Sequence, residues 1–274
     1  MSNVGDSTRK LTQAEGIELL KNVRNELSSF VEQISSAYCV DSTIQELMQM
    51  RGYSSQEMYD TLKEVGIFKT NDLSSLELVS PLSKYKTSGR WGLVNANGQY
   101  LLAGRYIVPI RDIKGKVTAL VGWYPDERKY VTTPTFGFAR DAQFFNIECY
   151  SQNTNADVYL VEGIFDTLAL RSLDLFALGN MGLGLSPVKR EILKRFNHVF
   201  AIPDADKPGR SVLPFHSKDV KSKFKWNIDS NVTFVEIAIE GIKDTDDLIK
   251  YYDCKKDLTD LNDLSYVTKI KETY

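Results

Sequence analysis

In VEGIFDTLAL, residues 161–170, an apolar run ends on a carboxylate, Glu162, and a second one, Asp166, follows one helical turn later. Residues Val158 to Val161 read as a strand buried on both faces, and the Leu168 and Leu170 spacing reads as a helix packing back on it. Ligand sites of open α/β sheets lie at such strand ends. An acid placed there points to a site rather than to packing.

Working outward, DVYLVEG, LFALGN, HVFAIPD and NVTFVEIAI read as strands, with helices near 165–173, 187–196 and 209–224 between them. Ser186 and Pro187 supply the N-cap and first-turn signals of the second helix. This alternation predicts a mostly parallel sheet flanked by helices. Upstream, residues 10–70 carry helical periodicity: AEGIELLKNVRNELSSFVEQI, then DSTIQELMQM with Asp41 or Ser42 as cap, then YSSQEMYDTLKEVGI ended by Gly66. Between these halves, GRYIVPIRDIKGKVTALVGWY reads as a hairpin closed by DIKGK. The expected class is α/β (α+β overall), divided as a helical region over 1–75, a basic α+β subdomain over 76–150, the parallel-sheet domain over 151–252 and a C-terminal helix or tail over 253–274.

Charge is distributed unevenly. Ser80 to Phe145 holds ten basic residues against four acidic ones, so that segment is +6 and the rest carries −8 of a net −2. A basic module joined to an acidic one suits a protein that holds a polyanion with one part and metal ions with the other. Drift of a solvated surface is the bland alternative. The 42% hydrophobic composition of the 274 residues supports a sizeable core. No apolar run reaches the ~18 residues that span a bilayer, and no signal peptide is evident, so no membrane partner and a cytoplasmic location are expected. Cys39, Cys149 and Cys254, with only His198 and His216 beside them, form no zinc-ligand spacing and no disulfide framework.

The carboxylates fall on one edge of the predicted sheet. Glu162 ends the first strand, Asp204 and Asp206 end the third, and Asp244, Asp246 and Asp247 follow the fourth. Such an oxygen-only set suits Mg2+ or Mn2+. Either Asp204 or Asp206 alone also reads as a cap of the helix beginning near Pro208. GNMGLG, with Gly179, Gly182 and Gly184, lacks the dinucleotide spacing and reads as a packing loop. Tyr130 and Trp123 are candidates for stacking on bases, with core packing the alternative for Trp123.

VYLVEGIFDTLAL, VFAIPDADKPGR and KDTDDLI, with 42 positions from Glu162 to Asp204, resemble the three motifs of a TOPRIM domain in DnaG-type primases. RYIVPIRDIKGKVTALVGW, KYVTTP, FARDAQFFNIE and LKEVGIFKTND resemble the segments preceding them, so the resemblance covers about residues 45–250. It implies that Glu162, Asp204 and Asp206 are catalytic and bind Mg2+ or Mn2+, with Asp166 and Asp246 as further metal-site acids. It also implies that Arg105, Arg111, Lys116, Lys129 and Arg140 face template or nucleotide phosphates. Arg140 stands where the family more often has Lys, Ala205 replaces a usual Gly, and Pro208 a small residue. The implied function is synthesis of short RNA primers from NTPs on single-stranded DNA, with a replicative helicase or other replication protein as partner. The amphipathic helices before about residue 70 are either its docking surface or a structural cap. A primase core of phage or mobile-element type without a zinc-binding domain is expected, in the host cytoplasm if phage-encoded. A TOPRIM nuclease and a primase-derived DNA-binding or replication accessory protein are the alternatives.

Overall fold

The computed structural model describes residues 12–69, 101–125, 129–132, 140–152, 156–182, 184–212, 226, 228, 231–237, 241–253 and 271–272. The chain opens with three helices, α1 (Gln13–Tyr38), α2 (Asp41–Arg51) and α3 (Gln56–Val65). Ser55 caps α3 by accepting from the Met58 N–H at 3.2 Å, and Gly66 closes it in the left-handed conformation. The expected Asp41 or Ser42 cap of α2 is absent: Val40 holds the cap position, and Asp41 instead pairs with Lys63 of α3 at 2.9 Å. The carboxylate thus ties two helices together rather than ending one.

An antiparallel sheet follows, in the order β1 (Phe68–Lys69), β2 (Tyr106–Arg111), β3 (Val117–Tyr124), β4 (Lys129–Thr132). Pro109 is tolerated within β2 because β1 pairs only with Tyr106 and Ile107, leaving no ladder opposite Pro109 on that side among the described residues. The β2–β3 turn is built by Asp112, whose Oδ1 accepts from the N–H groups of Lys114 and Lys116, with Gly115 at φ 74°. Residues 76–100 of the expected basic subdomain lie outside the described residues.

The second sheet runs β6 (Ala177–Gly179), β5 (Asp157–Val161), β7 (His198–Ile202), β8 (Val232–Phe234), β9 (Lys271–Glu272). β6, β5, β7 and β8 pair in parallel and β9 is antiparallel. Helices α4 (Ile164–Arg171), α5 (Pro187–Leu193), α6 (Lys207–Arg210) and α7 (Thr245–Asp253) follow the parallel strands. Ser186 caps α5 and Pro187 begins it, as its sequence requires. Where a C-terminal helix or tail was expected, Lys271 and Glu272 extend the sheet, and 254–270 lie outside the described residues. So does most of the expected 209–224 helix, beyond α6 and residues 211–212.

One hydrophobic cluster crosses the first three of the four expected regions: Ile44 and Leu62 from the helices, Val108 and Trp123 from the antiparallel sheet, Phe165 and Ile249 from the parallel-sheet half. Phe145 pairs its backbone with Gly179 at the β6 edge, docking the segment after the antiparallel sheet onto the parallel one. Buried Gln143 donates to the Arg111 carbonyl at 2.7 Å and bonds Thr118, fixing that segment to the hairpin.

Candidate active site

β5 and β7 are neighbours in register, so their carboxyl ends present Glu162 and Asp204 side by side, as expected for buried parallel strands. The Asp204 N–H donates to Glu162 Oε1 at 3.2 Å. A backbone bond from Ala205 N–H to the Lys243 carbonyl, at 2.5 Å, brings the 243–247 segment alongside. Asp244 then caps α7 by accepting from the Asp247 N–H at 2.7 Å.

The acids lie in one another's field. Burial raises Glu162 to about 7, with the charges of Asp206 and Asp166 adding to it and the Asp204 N–H opposing. Burial also raises Asp204 to about 8, helped by Glu162, Asp244, Asp206 and Asp247. Asp244 is likewise raised by burial and by its acidic neighbours. Buried carboxyls in one another's field hold their protons more tightly in the absence of a cation.

The other expected acids have structural partners. Asp206 Oδ1 accepts from the Gly209 N–H at 2.7 Å, so it caps α6 and keeps its other oxygen. Asp166 is buried in the first turn of α4, accepting from Gly163 N–H at 3.1 Å and from Asp246 N–H at 3.0 Å. Asp246, only 2% exposed, accepts from the Tyr53 hydroxyl, from Lys250 Nζ at 2.6 Å and from Arg51. Arg51 in turn lies over the rings of Phe165, Trp123 and Tyr53. Among the described residues, the acidic group whose oxygens converge within 4.8 Å is Asp244, Asp246 and Asp247. With Asp246 neutralised by two cations, Asp244 and Asp247 are the members of KDTDDLI that bear on Asp204. The sequence placed all three acids at this edge but gave no sign of which was already partnered.

The basic residues divide between two ends of the antiparallel sheet. Arg105 lies over the Tyr124 ring at 5.8 Å, and Tyr124 pairs in register with Lys129, whose side chain is outside the described residues. At this end Trp123 is buried against Phe165, which settles it as core. Tyr130 beside it is 46% exposed, with its hydroxyl on the buried side, within the field of Asp166, Asp246 and Asp244. At the other end, Arg111 donates to the Gly115 carbonyl at 3.3 Å and Lys116 stands exposed on the same turn. Arg140 is separate from both: its Nε donates to the Met181 carbonyl at 2.5 Å, and the Met181 N–H donates to the Glu162 carbonyl at 2.8 Å. One residue therefore links this guanidinium to the acidic edge. The sequence missed Lys189, which is buried behind that link; its only signal was a position four residues before Leu193, on the apolar face of α5.

No family model matches the chain, and no curated protein matches it by sequence. Solved structures do. A DnaG primase catalytic domain bound to ssDNA aligns with a TM-score of 0.65 at 18% identity, covering 92% of this chain and 81% of that one. A DNA primase domain from Pseudomonas aeruginosa aligns at 0.65 and 19%, covering 90% and 79%. The RNA polymerase domain of Mycobacterium tuberculosis primase DnaG aligns at 0.63 and 16%, covering 91% and 84%. The chain shares the fold of these catalytic cores. Its TOPRIM-like parallel sheet and helices match theirs, which agrees with the class expected from the sequence. Among the described residues no helix is long and apolar enough to cross a membrane.

Proposed function

We propose that this protein is a primase-type nucleotidyltransferase that joins NTPs into short RNA primers on single-stranded DNA. The observation that carries the reading is the set of carboxylates carried on neighbouring strand ends within one another's field, with the Asp204 N–H on Glu162 and burial raising Glu162 to about 7 and Asp204 to about 8. Their shared fold with primase cores adds to it.

The donor set fits a hard divalent ion: every free donor is a carboxylate oxygen, and their mutual repulsion is what a cation relieves. Glu162, Asp204 and Asp206 would hold Mg2+ or Mn2+, with Asp244 and Asp247 adjoining. When bound, the ion lowers the pKa of the attacking 3′-hydroxyl and neutralises triphosphate charge. The chain's own contribution is placement. Arg140, pinned over the loop that touches Glu162, faces phosphate oxygens of the incoming nucleotide. Arg105 and Lys129 beside Tyr124, and Arg111 and Lys116 at the hairpin turn, track the template backbone, which fixes position without reading sequence.

Incubating the protein with single-stranded DNA, labelled NTPs and Mg2+ or Mn2+ tests this. Growth of RNA oligomers, abolished by Asp204→Asn or Asp206→Asn in a folded protein that still binds single strands, is the expected result. Shortening of the template would assign a nuclease instead, and synthesis by Asp204→Asn at the wild-type rate would remove these acids from the chemistry.

A further inference from the structure

We propose that Lys189 is a positioning residue, the clamp that holds the 180–182 loop against the backbone of Glu162 and thereby seats Arg140 on the Met181 carbonyl. The inference rests on the primase-type reading for what Arg140 does, but not for what Lys189 holds.

Lys189 is 2% exposed and makes no ion pair among the described residues; burial lowers its ammonium to about 8, with the charge of Asp141 opposing and that of Arg140 adding to it. A buried ammonium whose counter-charge stays beyond ion-pair range is costly and persists only where its hydrogen bonds are satisfied. Here Nζ donates to the Asn180 carbonyl at 2.5 Å and to Asn180 Oδ1 at 2.9 Å, and it lies 5.0 Å over the Phe144 ring. One residue, Asn180, therefore receives both bonds. Its side-chain amide then donates to the carbonyls of Gly182 at 2.5 Å and Gly184 at 3.1 Å, and its N–H donates to Val161 at 2.8 Å.

The loop so held is strained. Met181 sits at φ 57°, a left-handed conformation uncommon for a side chain of its size. That conformation turns its N–H to the Glu162 carbonyl and its own carbonyl to Arg140 Nε. Gly182 follows at φ 157°, and a Cβ there would meet the Arg140 guanidinium at 3.3 Å, so a glycine leaves room for the arginine. The helix that carries Lys189 is fixed to the same segment, because its cap Ser186 donates to the Asp141 carbonyl. Lys189, Asn180 and Met181 thus form one continuous path that ends on both Glu162 and Arg140. Without the ammonium, Asn180 loses both bonds from Nζ, and the strained Met181 is left with its N–H bond to the Glu162 carbonyl and the bond it accepts from Arg140.

Two readouts test the clamp on the full chain. In Lys189→Met, which keeps the length and loses the donors, the N–H groups of Asn180 and Met181 should lose hydrogen-exchange protection relative to those of β5 and β7. In primer extension, the same variant should raise the NTP KM about tenfold or more, and adding it to Arg140→Ala should cause no further rise. Unchanged protection of Asn180 and Met181 overturns the proposal whether or not the protein makes primers. Additive effects in the double variant overturn it too, because a merely structural lysine would act independently of Arg140. If Lys189→Met does not fold, Asn180→Ala, which removes the Oδ1 acceptor together with the amide that bonds the Gly182 and Gly184 carbonyls, should show the same loss of Met181 protection and the same non-additivity; unaltered protection or additivity there overturns the clamp. Lost protection in a wild-type background that makes no oligomers would uphold the clamp and sink the primase reading.

Discussion

Tyr53, two residues past the end of α2, donates its hydroxyl to Asp246 Oδ1 at 2.6 Å, across 193 positions of sequence. With Arg51 and Lys250 on the same carboxylate, this bond joins the N-terminal helices to the acidic edge of the parallel sheet. The helices are therefore part of the core that positions the acids. Tyr53→Phe removes one hydrogen bond to a charged group and should cost about 1.5–3 kcal/mol. Asp246→Ala strands a largely buried Arg51 and should cost about 3 kcal/mol or more. Urea unfolding measures both; a loss below about 1 kcal/mol for Asp246→Ala would show that the cluster carries no stability.

The raised carboxyls set a pH dependence whose sign is fixed. Burial, reinforced by neighbouring acids, places Glu162 at about 7 and Asp204 at about 8, against ~4 in an unfolded chain. The folded state binds these protons more tightly. The stabilisation is complete below pH ~4 and is lost as pH rises through about 7 to 8. Metal-free protein should thus lose stability between pH 5 and pH 8 by these two groups, and Mg2+ or Mn2+ should restore it most at the alkaline end. Asp204→Asn should flatten the profile by removing one titrating group, while Glu162 keeps the bond from the backbone N–H of residue 204. A metal-free profile of the same slope in wild type and Asp204→Asn would remove the pair as its source.

Much of this architecture was legible because it is local. The apolar runs ending at Val161 and Ile202 read as buried parallel strands, which puts the Glu and the Asp-x-Asp at their ends on the sheet's carboxyl edge. The Ser186–Pro187 start of α5 and the Gly66 stop of α3 are read within four residues. What was illegible depends on distant partners. Asp246 looks like any other acid of KDTDDLI until Arg51 arrives from 195 positions away. Asp41 has a cap's composition, yet Lys63 offers it an ion pair instead. Lys189 was not singled out, because sequence pattern cannot distinguish a lysine that reaches water from one whose ammonium ends on Asn180.

Gly209 tests whether the Asp204–Asp206 turn must be this tight. A Cβ at Gly209 would lie 2.2 Å from the Asp204 carbonyl oxygen and 2.9 Å from the Asp204 nitrogen. Those atoms are backbone, so the turn itself must shift, and Asp206 would lose the Gly209 N–H that orients it. Gly209→Ala should cost roughly 1–3 kcal/mol and abolish synthesis. Gly16→Ala, in α1 with nothing within 4 Å of the new methyl, serves as the control and should be neutral or slightly stabilising. Full activity in Gly209→Ala would mean that the geometry of the two aspartates does not limit the reaction.

Arg111 and Arg140 should separate in single-strand binding and nucleotide use. Arg111 stands at the hairpin turn, held to the Gly115 carbonyl, while Arg140 is tied through Met181 to Glu162. If both meet phosphates, each alanine variant loses about one counterion-releasing contact, and the slope of log K against log salt should shallow by roughly one unit. Of the two, Arg140→Ala alone should also raise the NTP KM, because Arg140 is the one tied through Met181 to the Glu162 backbone. Lys63→Ala, in α3 and engaged with Asp41, should leave the slope unchanged apart from a small loss of stability. Fluorescence anisotropy with a labelled oligonucleotide across a salt series gives the slopes, and primer extension gives KM. An unaltered slope for Arg111→Ala would place the hairpin turn away from the nucleic-acid track, and an equal KM effect from both arginines would show that proximity to Glu162 does not distinguish them.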